Sequence, residues 1–485
     1  MPGSCLCRKK RFISVIKRYI QHASLRQYAS LLACVLSCVL TLCIATAPAF
    51  ADVRNSDRIA GSSIEERGLT TALCPSIEAN HALLVDETGK VYFERGAHDP
   101  VKIASITKVM TALVALDYDP NLKMTVTVTP GAAAIGESSA MLLEGDKLDM
   151  KNAVTAMMVA SGNDAADAIA ATVGGAMLKD EGHPGASEEK SVQRFVQAMN
   201  EKASEMGLEN SVFANPHGLD DGEYAGDFHC TAHDVAAMVK LAMQNDTFRK
   251  IVGSESATVK ITRDGGTITE ELTSTDELLS MYEGTVGVKT GYTDEAGGCF
   301  AGANDHDGHE YYAIILDSTD EWQRFLDTQD LWNWCYQYLT NYHLANSPES
   351  IDATIGGTTA SYPLMARVSH LDWMDRSVAA TIADPDHTID VFTLDGNISQ
   401  QAVYAELHGT IHVGDTVGTL TFKQRNNDIV TLDLIAAEEL GPPDPFTGIS
   451  IWWQRLWGND TVASNELVNT TPLLIDKTQT VSAGN

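Results

Sequence analysis

The sequence predicts an α+β protein, a sheet covered by helices, followed by a small all-β domain. Three observations predict it. Between residues 82 and 339, apolar positions at helical spacing alternate with β-type runs, and strands stand at both the beginning and the end of that stretch. From about Asn346 the texture changes to short β-rich runs punctuated by Gly356-Gly357, Asp386, Gly396, Gly409, Gly414 and Asn426-Asn427. The length, 485 residues, exceeds what one core comfortably supports, so two folded domains are expected, at residues 74–342 and 346–440. A content of 44% hydrophobic and 20% charged residues is that of an ordinary globular chain and argues against general disorder.

Residues 1–51 read as an export signal. Arg8, Lys9, Lys10, Arg11, Lys17, Arg18 and Arg26 stand there without one acid, Leu31 to Ala47 is apolar, and Ala49-Phe50-Ala51 offers a small-x-small cleavage site. The protein is therefore expected outside the cytoplasm, secreted or peripherally attached to the outer face of the cell membrane. Residues 52–73 are polar, carry Gly61-Ser62-Ser63, and read as a linker. Ala82 to Glu94 reads as a hairpin around Glu87-Thr88-Gly89-Lys90. Ser105 opens a helix whose apolar face is Ile106, Val109, Met110, Leu113 and Leu116.

Leu148 to Val173 is helical in composition, with Ser161-Gly162-Asn163 falling where a turn between two helices belongs; Asp164 and Asp167 then read as helix-terminal charges. Residues 177–191 are charged and read as a surface insertion. Helices are expected over Phe195–Met206 and Thr231–Met243, with a turn at Asn215-Pro216-His217-Gly218 between them. Thr285–Thr290, Gly298–Ala303 and Tyr311–Leu316 alternate as strands, and Gln323–Leu339 is a last amphipathic helix. After the β domain, Gly441-Pro442-Pro443-Asp444-Pro445 precedes a helix over 445–458. Its Ile449, Trp452, Trp453 and Leu456 form one stripe, suited to a membrane interface or to packing back on the β domain. Residues 459–485 read as a flexible tail.

The net charge is −31, and the leader carries only cations, so the mature chain is more acidic still. Such a surface repels phosphate backbones and excludes nucleic acid as a partner. Of nine cysteines, Cys74, Cys230, Cys299 and Cys335 lie beyond the leader. They are compatible with disulfides in three connectivities or with buried free thiols, and their spacing matches no zinc motif.

The chemistry sits in three separated elements: Ser105-Ile-Thr-Lys108, Ser161-Gly162-Asn163 and Lys289-Thr290-Gly291. Ser-x-x-Lys also occurs at Ser14–Lys17 and Ser187–Lys190, but the first lies in the basic leader and the second in the charged insertion. Residues i and i+3 share a helix face, so Lys108 reaches the Ser105 hydroxyl. Serine is a poor nucleophile until a base takes its proton, and lysine serves only when burial or a neighbouring cation lowers its pKa. Lys289 supplies such a cation and binds a substrate carboxylate, with Thr290 donating a hydrogen bond. Gly291 leaves room for an extended peptide along the strand edge. Ser161 relays a proton to the leaving amine, Asn163 holds the acyl side, and the backbone N–H groups of Ser105 and Tyr292 receive the oxyanion. The expected reaction is acyl transfer through a serine ester, with no metal and no cofactor. A Ser-His-Asp alternative through His217 or His229 lacks a Gly-x-Ser-x-Gly elbow.

The three elements in this order are a known signature of class A β-lactamases and penicillin-binding proteins. The chain resembles, from about Ala82 to Leu339 and more weakly through the β domain, the low-molecular-mass penicillin-binding proteins, the serine D-alanyl-D-alanine carboxypeptidases. Ser139-Ala140-Met141 with Gly145-Asp146, Met199-Asn200-Glu201-Lys202, Asn215-Pro216-His217-Gly218-Leu219-Asp220, Gly291 to Gly297 and Arg324-Phe325 carry the resemblance further. It implies a β-lactamase/transpeptidase-like domain built on an antiparallel sheet with helices. It also implies an acyl-enzyme on Ser105, Lys108 as proton acceptor, Ser161 as third catalytic residue, and Lys289 and Arg324 on the substrate carboxylate. The implied reaction removes the terminal D-alanine from peptidoglycan pentapeptide stems, and penicillins acylate such enzymes.

There are departures from the family pattern. Ile103 stands where proline is usual, residues 177–191 are longer, and His229-Cys230-Thr231-Ala232-His233-Asp234 replaces a Ser/Thr-Ala-Arg-Asp pattern. Two rival readings remain. A serine β-lactamase needs a carboxylate to activate deacylating water, and Glu201 and Glu205 lie on a helix that the carboxypeptidase pattern already explains. A catalytically silent wall-binding protein on the same fold is opposed by the intact set of Ser105, Lys108, Ser161, Asn163 and Lys289.

Overall fold

The computed structural model describes residues 56–458 and 462–475. The expected leader therefore lies outside the described residues, as do both ends of the expected tail.

The central sheet is built from β1 (Arg58–Ile59), β2 (His81–Asp86), β3 (Val91–Arg95), β4 (Thr285–Thr293), β5 (Gly297–His306) and β6 (His309–Ser318). Its order is Ser62–Ser63, β1, β3, β2, β6, β5, β4, with every neighbouring pair antiparallel. These strands are short hairpins of Val, Ile, Leu, Ala and Tyr, buried on both faces along most of their length. The order leaves β4, which carries Lys289, Thr290 and Gly291, at the sheet edge.

One face of the sheet is covered by a helical layer. It comprises α1 (Lys108–Tyr118), α2 (Met150–Val159), α3 (Asn163–Asp180), α4 (Glu188–Glu205) and α5 (Ala232–Met243). α1, α2 and α3 are buried almost all round, which is why Ala, Val, Met and Leu dominate them and why their amphipathic signal is weak. Residues 177–191 are only partly the surface insertion expected. α3 runs on to Asp180, α4 starts at Glu188 behind a Ser187 cap, and Ser191 is buried against Gly174. A Cβ at Gly174 would meet the Ser191 carbonyl oxygen at 1.9 Å, so only glycine lets these two helices approach this closely. α6 (Gln323–Gln337) packs on the other face, burying Phe325, Leu331, Trp332 and Cys335 against Leu84, Phe93 and Phe300.

The alternating hairpin Ser256–Arg263 and Gly266–Thr273, which the sequence reading passed over, joins Thr125–Thr127 and Lys147–Asp149 in a separate four-stranded sheet.

The region over residues 346–440 is built from β strands, with one 3₁₀ turn at Thr393–Asp395, as expected. Its main sheet runs β9 (Ile398–Tyr404), β10 (Thr416–Gln424), β11 (Asn427–Ala436), β8 (Ser377–Thr381), β7 (Ala366–Ser369), with Glu466–Leu467 added at the edge of β7. It is stitched to the first region by Leu339–His343, which pairs with Thr388–Phe392. The Phe392 ring inserts between Tyr92 and Trp334 at centroid distances of 5.0 and 5.5 Å. From Arg58 the described residues form a single compact unit.

Two expectations about its ends need correcting. From Arg58, residues 52–73 are not a linker: Ile59 is fully buried in the sheet, and Ser63 and Glu66 cap a short helix reciprocally. The Ser-x-x-Glu capping box was visible in the sequence. Nor are residues 466–469 a flexible tail: Asn469 is buried, donating to the Leu344 carbonyl and to Gln400 Oε1, both at 2.9 Å.

The helix α7 (Pro445–Leu456) forms behind an Asp444 cap with Pro445 in its first turn. Arg455 ties it to the β region by donating to the Leu371 and Trp373 carbonyls, and Ile451 is buried. The Ile449, Trp452, Trp453 and Leu456 stripe is not packed back; all four side chains are exposed, together with Phe446 and Trp457. Among the described residues, no helix is long and apolar enough to cross a membrane.

Candidate active site

Ser105 lies in a 3₁₀ turn, Ala104–Thr107, that leads into α1. The turn is tighter than the helix start expected from the sequence, and residues i and i+3 eclipse in it, so the Lys108 amine stands over the Ser105 hydroxyl. Nζ and Oγ are 2.6 Å apart. The turn is wedged against glycines. A Cβ at Gly218 would meet the Ala104 carbonyl oxygen at 1.9 Å, and one at Gly291 would meet the Ile103 oxygen at 2.9 Å and the Ser105 nitrogen at 3.1 Å. Gly291 thus serves the approach of β4 to Ser105.

Lys108 is fully buried. Besides Ser105 it touches Asn163 Oδ1 at 2.7 Å and the His217 carbonyl oxygen at 3.0 Å. Asn163 is oriented by its own amide, which donates to the Gly136 carbonyl at 3.0 Å. Both partners can only accept. A neutral amine has two N–H bonds and one lone pair, so these two oxygens take both N–H groups and leave the lone pair for the Ser105 hydroxyl proton. Burial, and next the charge of Lys289, push the Lys108 amine well below the ordinary lysine range, against the opposing pull of Asp164. Burial and Lys108 likewise hold His217 down to about 3, so it is a neutral ring. Its 215–218 segment is the structural turn expected, closed by Asn215 Oδ1 accepting from the N–H groups of His217 and Gly218.

Ser161 is buried at the junction of α2 and α3, in the left-handed region at φ 57°, two residues before Asn163. Asp164 is more than a helix-end charge. It is buried, and it accepts from Ser139 Oγ at 2.7 Å and from the N–H groups of Ala140 and Leu142, fixing the 139–142 loop beside Ser161-Gly162-Asn163.

On the facing wall, Lys289 is buried on β4 and donates to the Thr290 carbonyl at 3.0 Å. Burial, then Arg324, push it down to about 7, with Asp276 opposing. Thr290 Oγ1 is 2.6 Å from Thr275 Oγ1. Asp276 is buried with one oxygen unpartnered, and burial raises it to about 7. Arg324 Nη1 donates to the Gly291 carbonyl at 2.9 Å, and its buried Nε has no hydrogen-bond partner among the described residues. Thr275 and Asp276 were not singled out from the sequence. They lie in a loop between unrelated elements, and only tertiary packing sets them behind Lys289. Ser105, Asn163 and Tyr292 line a cleft of about 250 Å³ together with Glu137, Asp220 and Asp294.

Among the described residues, Cys230, Cys299 and Cys335 are buried free thiols. Burial pushes the thiols of Cys230 and Cys299 up to about 12 each.

A serine paired with a buried lysine, a Ser-Gly-Asn corner and a Lys-Thr-Gly edge strand thus meet in one cleft. The sequence model of the family described as D-alanyl-D-alanine carboxypeptidase matches residues 69–320. The chain belongs to that family. This carboxypeptidase is a serine-type hydrolase. It is 26% identical over 371 residues to the D-alanyl-D-alanine carboxypeptidase DacF of Bacillus subtilis, covering 75% of this chain and 85% of that one. It is 31% identical over 254 residues to the D-alanyl-D-alanine carboxypeptidase of Streptomyces sp. strain K15, covering 51% and 83%. Among solved structures, an alanine mutant of the Streptomyces K15 DD-transpeptidase is similar, with a TM-score of 0.50 and 29% identity over 54% of this chain and all of the other. The D-alanyl-D-alanine carboxypeptidase DacD of Francisella tularensis shares the fold over 76% of this chain and 95% of its own, with a TM-score of 0.50 and 21% identity.

Proposed function

We propose that the carboxypeptidase removes the terminal D-alanine of peptidoglycan stem peptides through an ester on Ser105, with the following roles. Neutral Lys108 takes the Ser105 proton as Oγ attacks the penultimate D-alanine carbonyl. The N–H groups of Ser105 and Tyr292 receive the developing oxyanion. Ser161 passes a proton to the departing amine. Lys289, in its charged form, binds the terminal carboxylate with Thr290, while Asn163 orients both Lys108 and the acyl side. Arg324 acts through β4: its hydrogen bond to the Gly291 carbonyl supports the strand that holds the carboxylate. Water then cleaves the ester, and a β-lactam carbonyl is attacked in the same way and held as a slowly hydrolysed adduct.

The observation that carries this reading is the 2.6 Å contact between Lys108 Nζ and Ser105 Oγ, with the two other Lys108 partners both acceptors. The test is D-alanine release from diacetyl-Lys-D-Ala-D-Ala, with and without a penicillin. Release that stops on penicillin treatment and in Ser105→Ala supports the assignment, and full release by Ser105→Ala sinks it. Rapid turnover of nitrocefin would favour a β-lactamase instead.

The basic-apolar leader supports export, so that the enzyme meets the wall on the outer face of the membrane. Exposure of Phe446, Ile449, Trp452, Trp453, Leu456 and Trp457 on α7 supports a peripheral contact with that face. We divide the chain by activity into a catalytic region ending near residue 342, a β region over 346–440 and this helix.

A further inference from the structure

Away from the cleft, Glu94, His98 and His233 converge. Glu94 is the penultimate residue of β3, His98 lies in the turn after it, and His233 stands in the first turn of α5. One ligand atom from each lies within 4.8 Å of the others. His233 Nε2 is 2.7 Å and His98 Nε2 is 3.6 Å from the same carboxylate oxygen, Glu94 Oε1. The two imidazole rings are stacked face to face, with centroids 4.2 Å apart and planes 15° from parallel. The other carboxylate oxygen, Oε2, faces Arg58 Nε at 3.6 Å, so Oε1 is the one turned to the imidazoles.

We propose that Glu94, His98 and His233 form a binding site for a divalent transition-metal ion of the zinc type. A tetrahedral ion with nitrogen and oxygen ligands at about 2.0–2.1 Å sets those atoms about 3.4 Å apart. Meeting that requirement takes an opening of the His233–Glu94 contact and a closing of the His98 one by less than about 1 Å each, together with a rotation of the exposed His98 ring out of the stack, because stacked rings aim their in-plane lone pairs in parallel. Two imidazoles and one carboxylate suit zinc, nickel or copper, whereas calcium and magnesium call for oxygen donors. The fourth position is left to solvent, since His98 is largely exposed and gives the ion a path in.

The site is built rather than accidental in two respects. Its carboxylate is buried, and the turn that presents His98 is fixed. Asp99 N–H donates to the Gly96 carbonyl, His81 Nδ1 lies 3.0 Å from that same oxygen, and Gly96 has φ 49° with no room for a Cβ beside His81. The His233 N–H in turn donates to the Ala97 carbonyl, joining the turn to α5. His233 is also where the sequence departs from the family pattern, with histidine in place of arginine. A guanidinium there can only form an ion pair with Glu94; an imidazole brings a lone pair and makes the same contact a pair of metal ligands. An ion at this point clamps residues 94–98 to α5. That holds the stretch that continues through Val101, paired with Cys230, into the Ser105 turn.

The test is calorimetric titration of the full chain with zinc chloride, paired with cobalt(II) absorption and a thermal melt. The expected result is one zinc per chain with a dissociation constant on the order of 1 μM or tighter, visible cobalt bands of a tetrahedral nitrogen–oxygen site, and a higher melting temperature. His98→Ala and His233→Arg should each weaken zinc at least about tenfold. His233→Arg keeps an ion pair with Glu94, and undiminished labelling by a fluorescent penicillin shows that it is folded. His309→Ala and His408→Ala, which remove the His309–Glu87 and His408–Asp372 pairs, should leave zinc binding unchanged. Zinc affinity equal in the parent, His98→Ala and His233→Arg, or lost only in the His309 or His408 variants, overturns the proposal. So does the absence of one-to-one binding up to about 100 μM zinc.

Discussion

Asn163 Oδ1 accepts from Lys108 Nζ at 2.7 Å while the amide of the same side chain donates to the Gly136 carbonyl at 3.0 Å. Together with the His217 carbonyl, this residue fixes the direction of the amine proposed as general base. Asn163→Ala frees an N–H of Lys108 and lets its lone pair turn from Ser105. The expected loss is in acylation, about 10²-fold in kcat/KM, carried mainly by kcat. Stopped-flow acylation with a fluorescent penicillin measures it, and a change confined to KM would contradict the assignment.

The two lysines set a pH window. Lys108 must be neutral to accept a proton, so acylation rises as pH rises through its lowered pKa. Lys289 must be charged to bind a carboxylate, so substrate binding weakens as pH rises through about 7. A bell-shaped kcat/KM profile is expected. Lys289→Arg, which stays protonated, should extend the alkaline limb even if it lowers the maximum. An alkaline limb unchanged in that variant would assign it to another group.

Gly291→Ala places a methyl group 2.9 Å from the Ile103 oxygen and 3.1 Å from Ala104 Cβ. Either the edge strand or the nucleophile turn must give way. A loss of about 10–100-fold in kcat/KM is expected from misplacement of that order. Wild-type activity would show that the turn yields freely.

Asp167 is buried in α3, and burial followed by the charge of Glu188 raises it to about 7. An acid raised on folding favours the folded state below its unfolded value, near 4, and loses that advantage as pH climbs through about 7. Asp167→Asn should therefore gain roughly 1–3 kcal/mol relative to the parent at pH 8, with the gain shrinking towards pH 4. Urea unfolding at the two pH values measures this, and a gain independent of pH would point to packing instead.

Much of the site was legible before any coordinates. Local order and residue type pointed to Ser105, Lys108, Ser161, Asn163 and Lys289-Thr290-Gly291, because the roles proposed for them, nucleophile, base and edge strand, each leave a short contiguous pattern. The hairpin around Glu87–Lys90 and the helices that start near Ser105, Leu148, Thr231 and Gln323 were legible for a similar reason, since burial imposes a period of two or of three to four residues on neighbours, whereas the half-exposed hairpin over 256–273 was not. Even the misread Arg58–Arg67 segment carried its capping box.

What tertiary structure alone decided involves residues far apart in the chain. The His217 carbonyl on Lys108, Asp276 and Thr275 behind Lys289 and Thr290, Phe392 between Tyr92 and Trp334, and His233 beside Glu94 are such cases. Sequence by itself determined the reaction's hydroxyl and amines, since their identities are local. Their strength as acid and base depends on buried charge and on the direction of lone pairs, and those are set only when separate segments pack together.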